Sequence, residues 1–539
     1  MKKVLLAIAL FAWQNSWSQS WQDTVAMIEK AFERYKPGNP GCQLAIARKG
    51  QLLFSRSWGM ADLEHGIALT NESRIEAGSV SKQFTAAAIL LLEQQGKLSL
   101  NDDVRKYIPE LPAYGSPITL RHMMQHTSGL KDWGSVVAVS GWPRSTKTYD
   151  NDDALYVIAR QKSLNHEPGA EYIYSNSNYN LFAIIVERVS GKSLAEFSRI
   201  NIFGPAGMTH TEWRDNFKRI VTNRAMAYEK SQGSYYTNMP NEYVYGNGGL
   251  LTTAEDLLKW NNYYLNGKLG NPSLLDKQLR LTPFNNGSQG WYAAGLVIDS
   301  IRGWKTINHN GATASYRANL EYFPDLGLSI AFLSNTSEFD GSTDVAGTAR
   351  NIFVRNLQQA SSTSNTTGVT VPIDKLNRFA GWYKETRTGS GVRLSVKDGK
   401  LANSRGGTMI PVADNVFMIG ATKIVVEDGK TKRLHFISRT DTLTYTGTDS
   451  ARTDAAALSE YFGEYYSEEA EAKFSVIAKD GKLFLRRNAK AEYAMTPTYK
   501  DGFTAGPISA LYFERDRKNK ISGFKVSVNR ARNISFRKL

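Results

Sequence analysis

A single cysteine in 539 residues, Cys42, leaves no partner for an intramolecular disulfide, and no set of metal-ligand spacing surrounds it. Stability must therefore come from packing, and Cys42 reads as a small buried apolar residue. Long hydrophobic runs are just as scarce. Beyond the first eighteen residues nothing approaches the roughly 20 apolar residues that a bilayer-spanning helix needs, so no transmembrane anchor is expected there. Acidic residues are also in deficit: 51 Asp and Glu face 66 Lys and Arg, a net charge of +15. Most of the excess lies in residues 373–539, with 30 basic and 19 acidic residues against 36 and 32 in the remainder. A basic module suits an anionic envelope surface or anionic substrates. Lysine and arginine on solvated strand edges, where they block aggregation, explain it equally well.

What the chain does have is an ordinary globular balance. Hydrophobic residues make up 41% and charged residues 22%, enough for a sizeable core, and the length corresponds to roughly three domains. At the N-terminus Lys2 and Lys3 precede an apolar run from Val4 to Trp13, followed by the small residues Ser16 and Ser18. That layout predicts a signal peptide over residues 1–18 and a periplasmic or secreted mature chain.

Residues 19–357 mix helical and strand periodicities. Residues 358–373 are mostly polar and read as a linker. Beyond them short alternating runs and Asp-Gly turns predominate, and the pattern repeats. Phe379-Ala380-Gly381-Trp382-Tyr383 and Tyr461-Phe462-Gly463-Glu464-Tyr465 are 82 residues apart, as are Lys397-Asp398-Gly399-Lys400-Leu401 and Lys479-Asp480-Gly481-Lys482-Leu483. Asp-Gly is a strong hairpin-turn signal. Two copies of a small antiparallel β-barrel are predicted, over 374–450 and 455–539. The tail's aromatic residues then belong to barrel cores, and no nucleic-acid-binding motif accompanies them.

Four serines stand three residues ahead of a lysine: Ser79–Lys82, Ser128–Lys131, Ser522–Lys525 and Ser535–Lys538. The last two fall in the β-rich tail, where such residues point to opposite faces of a strand. Ser128 precedes Gly129 in a loop-like HTSGL stretch. Only Ser79 opens a helical pattern, with Phe84, Ala87, Ala88, Leu91 and Leu92 at helical spacing and Gly96 closing it. There Ser79 and Lys82 share a face. A serine hydroxyl needs a neighbouring base, and lysine serves only if burial lowers its pKa. Two further stretches bear polar groups suited to a cleft. Tyr174-Ser175-Asn176 lies between a Pro-Gly turn and an apolar helix from Leu181 to Val189. His309-Asn310-Gly311 lies near the start of a hairpin, with two apolar strands around Pro324-Asp325-Leu326-Gly327.

In order and separation these three stretches resemble the motifs of penicillin-recognising serine hydrolases of the class C β-lactamase-like branch. Gly59-Met60-Ala61-Asp62, His126-Thr127-Ser128-Gly129-Leu130 and Gly248-Gly249-Leu250 agree with it. With the two repeats behind it, the chain resembles the three-domain D-aminopeptidase arrangement. The resemblance implies an α+β multidomain fold: a β-lactamase/transpeptidase-like catalytic domain, with an antiparallel sheet flanked by helices and an all-helical region, followed by two β-barrels. It also implies a barrel loop at the active site, for which Asp501 to Ala510 is the candidate segment.

By the same resemblance Ser79 attacks a carbonyl carbon and forms an acyl-enzyme. Lys82 and Tyr174 share the proton transfers, with either able to act as base. Asn176 hydrogen-bonds Lys82 and the substrate amide, and the backbone N–H groups of Ser79 and Ala312 form the oxyanion hole beside Gly311. His309 stands where β-lactamases carry a fixed lysine charge. That departure favours a peptidase, amidase or esterase over an efficient β-lactamase. Ser315 stands where many relatives have glycine. A small peptide, amide or ester is the implied substrate, cell-wall peptide fragments are a further partner, and no cofactor is required. The competing readings are a non-catalytic penicillin- or cell-wall-fragment-binding protein and a weak class C-like β-lactamase. His122 and His126 are four apart but lack a nearby carboxylate for a metal. Thr253 to Asp256 reads as a capping box opening a helix.

Overall fold

The computed structural model describes residues 21–144, 146–339, 345–354, 357, 369–438 and 441–539, without the side chains of Val345 and Ser509. The expected signal peptide, and residues 358–368 of the expected linker, lie outside the described residues.

The apolar run CQLAIA makes strand β1 (Cys42–Arg48), which is buried on both faces. It pairs antiparallel with β2 (Gln51–Trp58). Four later strands complete the sheet: β3 (Val297–Ile301), β4 (Trp304–Thr313), β5 (Tyr316–Phe323) and β6 (Leu328–Ser334). The strand order is β3-β4-β5-β6-β1-β2, antiparallel throughout. Side chains alternate across the sheet. Cys42, Leu44, Ile46, Ile330 and Phe332 face a core built with Ile28, Phe32 and Ala349. Ala45, Ala331 and Leu333 face the opposite core, which holds the helices. Cys42 is fully buried in the first of these cores as a free thiol.

The central helix of that second core is α1 (Lys82–Gln94), KQFTAAAILLLEQ. Every side chain from Lys82 to Leu92 is buried, so it is apolar all round because protein surrounds it. It packs against α3 (Asn176–Ser190), between which in sequence comes α2 (Trp133–Ser140). The serine pattern predicts a helix from Ser79. Instead Gly78–Ser81 form a 3-10 turn, and regular α-helix begins at Lys82. Likewise α3 starts at Asn176, five residues before the apolar run that announces it. Thr253 does cap the helix Ala254–Tyr264, accepting from Asp256 N, but the reciprocal half of the box is missing. The Asp256 carboxylate accepts from His210 N and Thr211 Oγ1 instead.

Eight strands from Gly381–Glu385 to Thr442–Thr448 form the first tail sheet, and eight from Gly463–Ser467 to Ala531–Lys538 close into a barrel. The first sheet is nearly closed: its end strands meet through Met409 N donating to Leu401 O at 3.0 Å. The 82-residue repeat is structural. Tyr383 Oη donates to Phe379 O and Tyr465 Oη to Tyr461 O, each at 2.7 Å. Asp398-Gly399 and Asp480-Gly481 both have positive φ, as this hairpin turn requires.

The barrels dock through specific polar contacts. Lys131 Nζ pairs with Glu469 of the second barrel at 2.7 Å, both side chains nearly inaccessible to solvent. Glu469 also accepts from Lys162 N and Ser535 N. Glu171 of the catalytic region receives Arg387 from the first barrel at 2.6 Å and Arg532 from the second at 2.9 Å. Lys131→Met strands the Glu469 charge in the interface and is expected to cost about 3–5 kcal/mol. Thermal unfolding checks this: a melting temperature equal to wild type removes the pair from the stability of the interface.

Candidate active site

Local backbone chemistry sets the three motifs side by side. Gly78 has φ +49°, and a Cβ there would lie 2.6 Å from Ala312 N; a Cβ on Gly311 would lie 2.0 Å from Ala77 O. Only glycine at both positions lets β4 press its backbone against the turn that carries Ser79. Ala312 thus stands beside that turn, where its N–H and that of Ser79 suit an oxyanion.

Ser79 Oγ sits between two proton-handling groups. Lys82 Nζ is 3.0 Å away, and Tyr174 Oη donates to Ser79 Oγ at 2.7 Å. Lys82 Nζ also donates to Asn176 Oδ1 at 3.0 Å and to the carbonyl of Asn247 at 2.6 Å. Two acceptors occupy two N–H bonds, so a neutral amine turns its lone pair toward the serine hydroxyl. Burial, and then the nearby Arg530 charge, hold the Lys82 pKa well below the usual lysine range. Burial holds the Tyr174 phenol protonated, well above its ordinary value. One group is disposed to take a proton and the other to give one.

A second layer fixes these groups. Asp132 caps α2 by accepting from Ser135 N at 2.9 Å, and its other oxygen accepts from Asn176 N at 2.8 Å. His126, buried with φ +57°, accepts from Ser175 N at 3.1 Å, and its ring lies 4.3 Å from that of Tyr174. His122 accepts from Thr119 N within a helix cap, so the two histidines serve separate local structures and do not converge. Among the described residues the one group able to chelate an ion is Asp62, Glu64 and His65, which forms its own turn with His65 Nδ1 2.8 Å from Asp62 Oδ2.

His309 lies within β4, and its ring accepts from Tyr292 Oη at 2.9 Å while Nδ1–H donates to Asn310 O at 2.6 Å. That tautomer is neutral. Burial, with the Lys82 charge second, lowers its pKa to about 3. A histidine depressed from 6.5 stays unprotonated in the fold while the unfolded chain takes up a proton. Its contribution is whole above pH 6.5 and lost as pH falls toward about 3. The loss is on the order of 4 kcal/mol. Chemical denaturation at descending pH checks this, with His309→Gln expected to flatten that limb.

The other serine–lysine pairs are structural. Ser128 Oγ donates to Asn178 Oδ1 at 2.7 Å while Lys131 goes to Glu469; Ser522 and Ser535 lie in barrel strands. The expected barrel loop needs correction. The turn Asn529–Arg530, between strands Ile521–Val528 and Ala531–Lys538, reaches the cleft, and Arg530 lies over the Tyr174 ring at 4.7 Å. From the segment Asp501 to Ala510, Ile508 instead walls an adjoining cavity. Arg530 has no sequence signal, being a basic residue in a basic tail. Asp132 does: an aspartate just ahead of a helical run.

A model of the Beta-lactamase family matches residues 26–354. A D-aminopeptidase of Brucella anthropi is 26% identical over 547 residues, 96% of this chain and 99% of that protein. Penicillin-binding protein 4* of Bacillus subtilis is 29% identical over 309 residues, 54% of this chain and 67% of that protein. In fold, the chain is similar to the octameric penicillin-binding protein homologue from Pyrococcus abyssi, with a TM-score of 0.53 at 21% identity, across 87% of this chain and 98% of that one. With the family match spanning the sheet, the helical core and the cleft between them, this chain belongs to the Beta-lactamase family and is a serine hydrolase.

Proposed function

We propose that the chain hydrolyses amide bonds of D-amino-acid peptides or amides through an acyl-enzyme on Ser79. The observation that carries this reading is the placement of Ser79 Oγ between the Lys82 amine and the Tyr174 phenol. Lys82 takes the serine proton as Oγ attacks the carbonyl carbon, the N–H groups of Ser79 and Ala312 receive the oxyanion, and Tyr174 protonates the departing amine. Water then cleaves the ester by the reverse proton path. D-Aminopeptidases that align with most of this chain support the substrate class. Neutral His309 withholds a fixed cation from a β-lactam carboxylate on the β4 side, which supports an amidase over a β-lactamase.

A fluorophosphonate or penicillin probe is expected to label Ser79 and to leave Ser79→Ala unlabelled. Turnover of D-aminoacyl amides should exceed that of nitrocefin and of the L-enantiomers. Labelling that persists in Ser79→Ala removes the nucleophile from this site, and absent turnover of every D-aminoacyl amide removes the peptidase reading. Export is part of the proposal, supported by Lys2, Lys3 and the apolar run Val4 to Trp13. The mass of the mature N-terminus tests it, with cleavage expected after Ser18.

A further inference from the structure

Among the described residues, the cations at or beside the cleft other than Arg530 are committed to partners. Lys82 serves Ser79, Asn176 and Asn247. Arg144 pairs with Glu242, and Arg317 donates to the carbonyls of Ala314 and Tyr316. Among the described residues no carboxylate pairs with Arg530. Its backbone is nonetheless fixed: Asp132 N and Asn165 Nδ2 donate to Arg530 O at 3.2 and 3.0 Å, and Arg532 N donates to Asn165 Oδ1 at 2.8 Å. A rigid turn from another domain thus delivers one guanidinium to the cleft and rests it on the Tyr174 ring. The guanidinium carbon lies 4.7 Å from the ring centroid, and with no carboxylate of the described residues on its N–H groups the fork suits a planar anion.

Arg530 also stands at a junction. The cleft shares Arg144, Asn176, Glu242, Asn247 and Arg530 with an adjoining cavity of about 350 Å³. Trp133, Phe474, Tyr493, Ile508 and Val528 give that cavity an apolar part, and Asp132 and Arg487 line it as well. A ligand reaching this junction meets the Arg530 guanidinium beside the paired Arg144 and Glu242, in a partly enclosed space where a charge-assisted hydrogen bond is strengthened.

We propose that Arg530 is a substrate-recognition residue whose guanidinium takes a carboxylate carried by the peptide substrate, so that the chain selects carboxylate-bearing peptides over neutral counterparts. The inference rests on the peptidase reading above and names its substrate class. The carboxylate is either the C-terminus of a short peptide or the side chain of an acidic D-residue. A cation placed only to tune Lys82 and Tyr174 would act on all substrates alike; one that binds a carboxylate discriminates between matched pairs.

The test is calorimetric binding to Ser79→Ala, which holds substrate without turnover. Two pairs are compared: a D-alanyl dipeptide with a free or an amidated C-terminus, and D-glutamyl amide against D-glutaminyl amide. In at least one pair the carboxylate form is expected to bind about 10- to 100-fold tighter, and that pair identifies the source of the anion. The preference should fall to within about twofold in Ser79→Ala/Arg530→Gln and persist in part in Ser79→Ala/Arg530→Lys, which keeps the charge. Equal affinities within both pairs, no binding of either carboxylate, or a preference that survives Arg530→Gln overturns the proposal. Because the readout is binding, failed turnover of D-aminoacyl amides by the wild-type enzyme would sink the peptidase reading separately.

Discussion

Lys82→Met is expected to lower kcat by about 10³- to 10⁴-fold while leaving the fold intact. Methionine fills the buried space among α1, α3 and the Asn247 loop, so packing survives and the proton acceptor is lost. The sign of the pH dependence follows from the same geometry. A base must be unprotonated, and Lys82 is held low by burial first, then by Arg530, against an opposing pull from Asp132. Acylation therefore rises as pH increases through that lowered value, well short of the ordinary lysine range. The buried phenol of Tyr174, raised by burial, remains a proton donor over the same interval. In Arg530→Gln one depressing charge is gone, and the rising limb should move to higher pH. Profiles of kcat/KM on a neutral D-aminoacyl amide check both statements. A Lys82→Met enzyme that keeps the wild-type limb would transfer the role of base to Tyr174.

Gly311→Ala carries the second large effect. Its Cβ would sit 2.0 Å from Ala77 O and 3.2 Å from Ala318 Cβ. The first of these obstacles is backbone, so no side-chain rotation relieves it. Either β4 withdraws from the Ser79 turn or the turn itself shifts, and Ala312 N moves with it. Loss of one oxyanion donor costs about 10²- to 10³-fold in acyl transfer, and that loss is expected in the rate of Ser79 labelling by a fluorophosphonate. Thermal unfolding on the same sample separates a displaced strand from a collapsed fold. Near-normal labelling in a folded Gly311→Ala protein would exclude Ala312 N from the oxyanion site.

Much of this site was legible because its chemistry is local in sequence. Ser79 and Lys82 sit one turn apart ahead of an apolar helix, and Asn176 heads another. Gly311 marks the close approach of backbones, which only glycine tolerates. The Asp-Gly turns and the Tyr383 and Tyr465 positions foretold two related β modules, because each repeat preserves one turn geometry and one hydrogen bond. What escaped is what long-range packing supplies. Asn247 contributes a carbonyl, which every residue possesses, so nothing in its side chain advertises the role. Arg530 lies 451 positions from Ser79 in the chain, in a two-residue turn whose composition resembles its neighbours. The candidate loop Asp501 to Ala510 was not the one that enters the cleft: docking of the barrel places its Pro507 and Ile508 at the adjoining cavity. The helix starts at Ser79 and Leu181 were displaced for a related reason: tertiary contacts, rather than apolar spacing, decide where a first turn begins.

Because the Glu171 carboxylate grips Arg387 and Arg532 together, and Arg532 is two residues from Arg530, the proposed role of Arg530 ties the first barrel to substrate choice at one remove. Replacing the second barrel alone would take Arg532 from Glu171 and Arg530 from the cleft in one step. On the proposed role of Arg530, the two barrels and Glu171 act on selectivity as one unit.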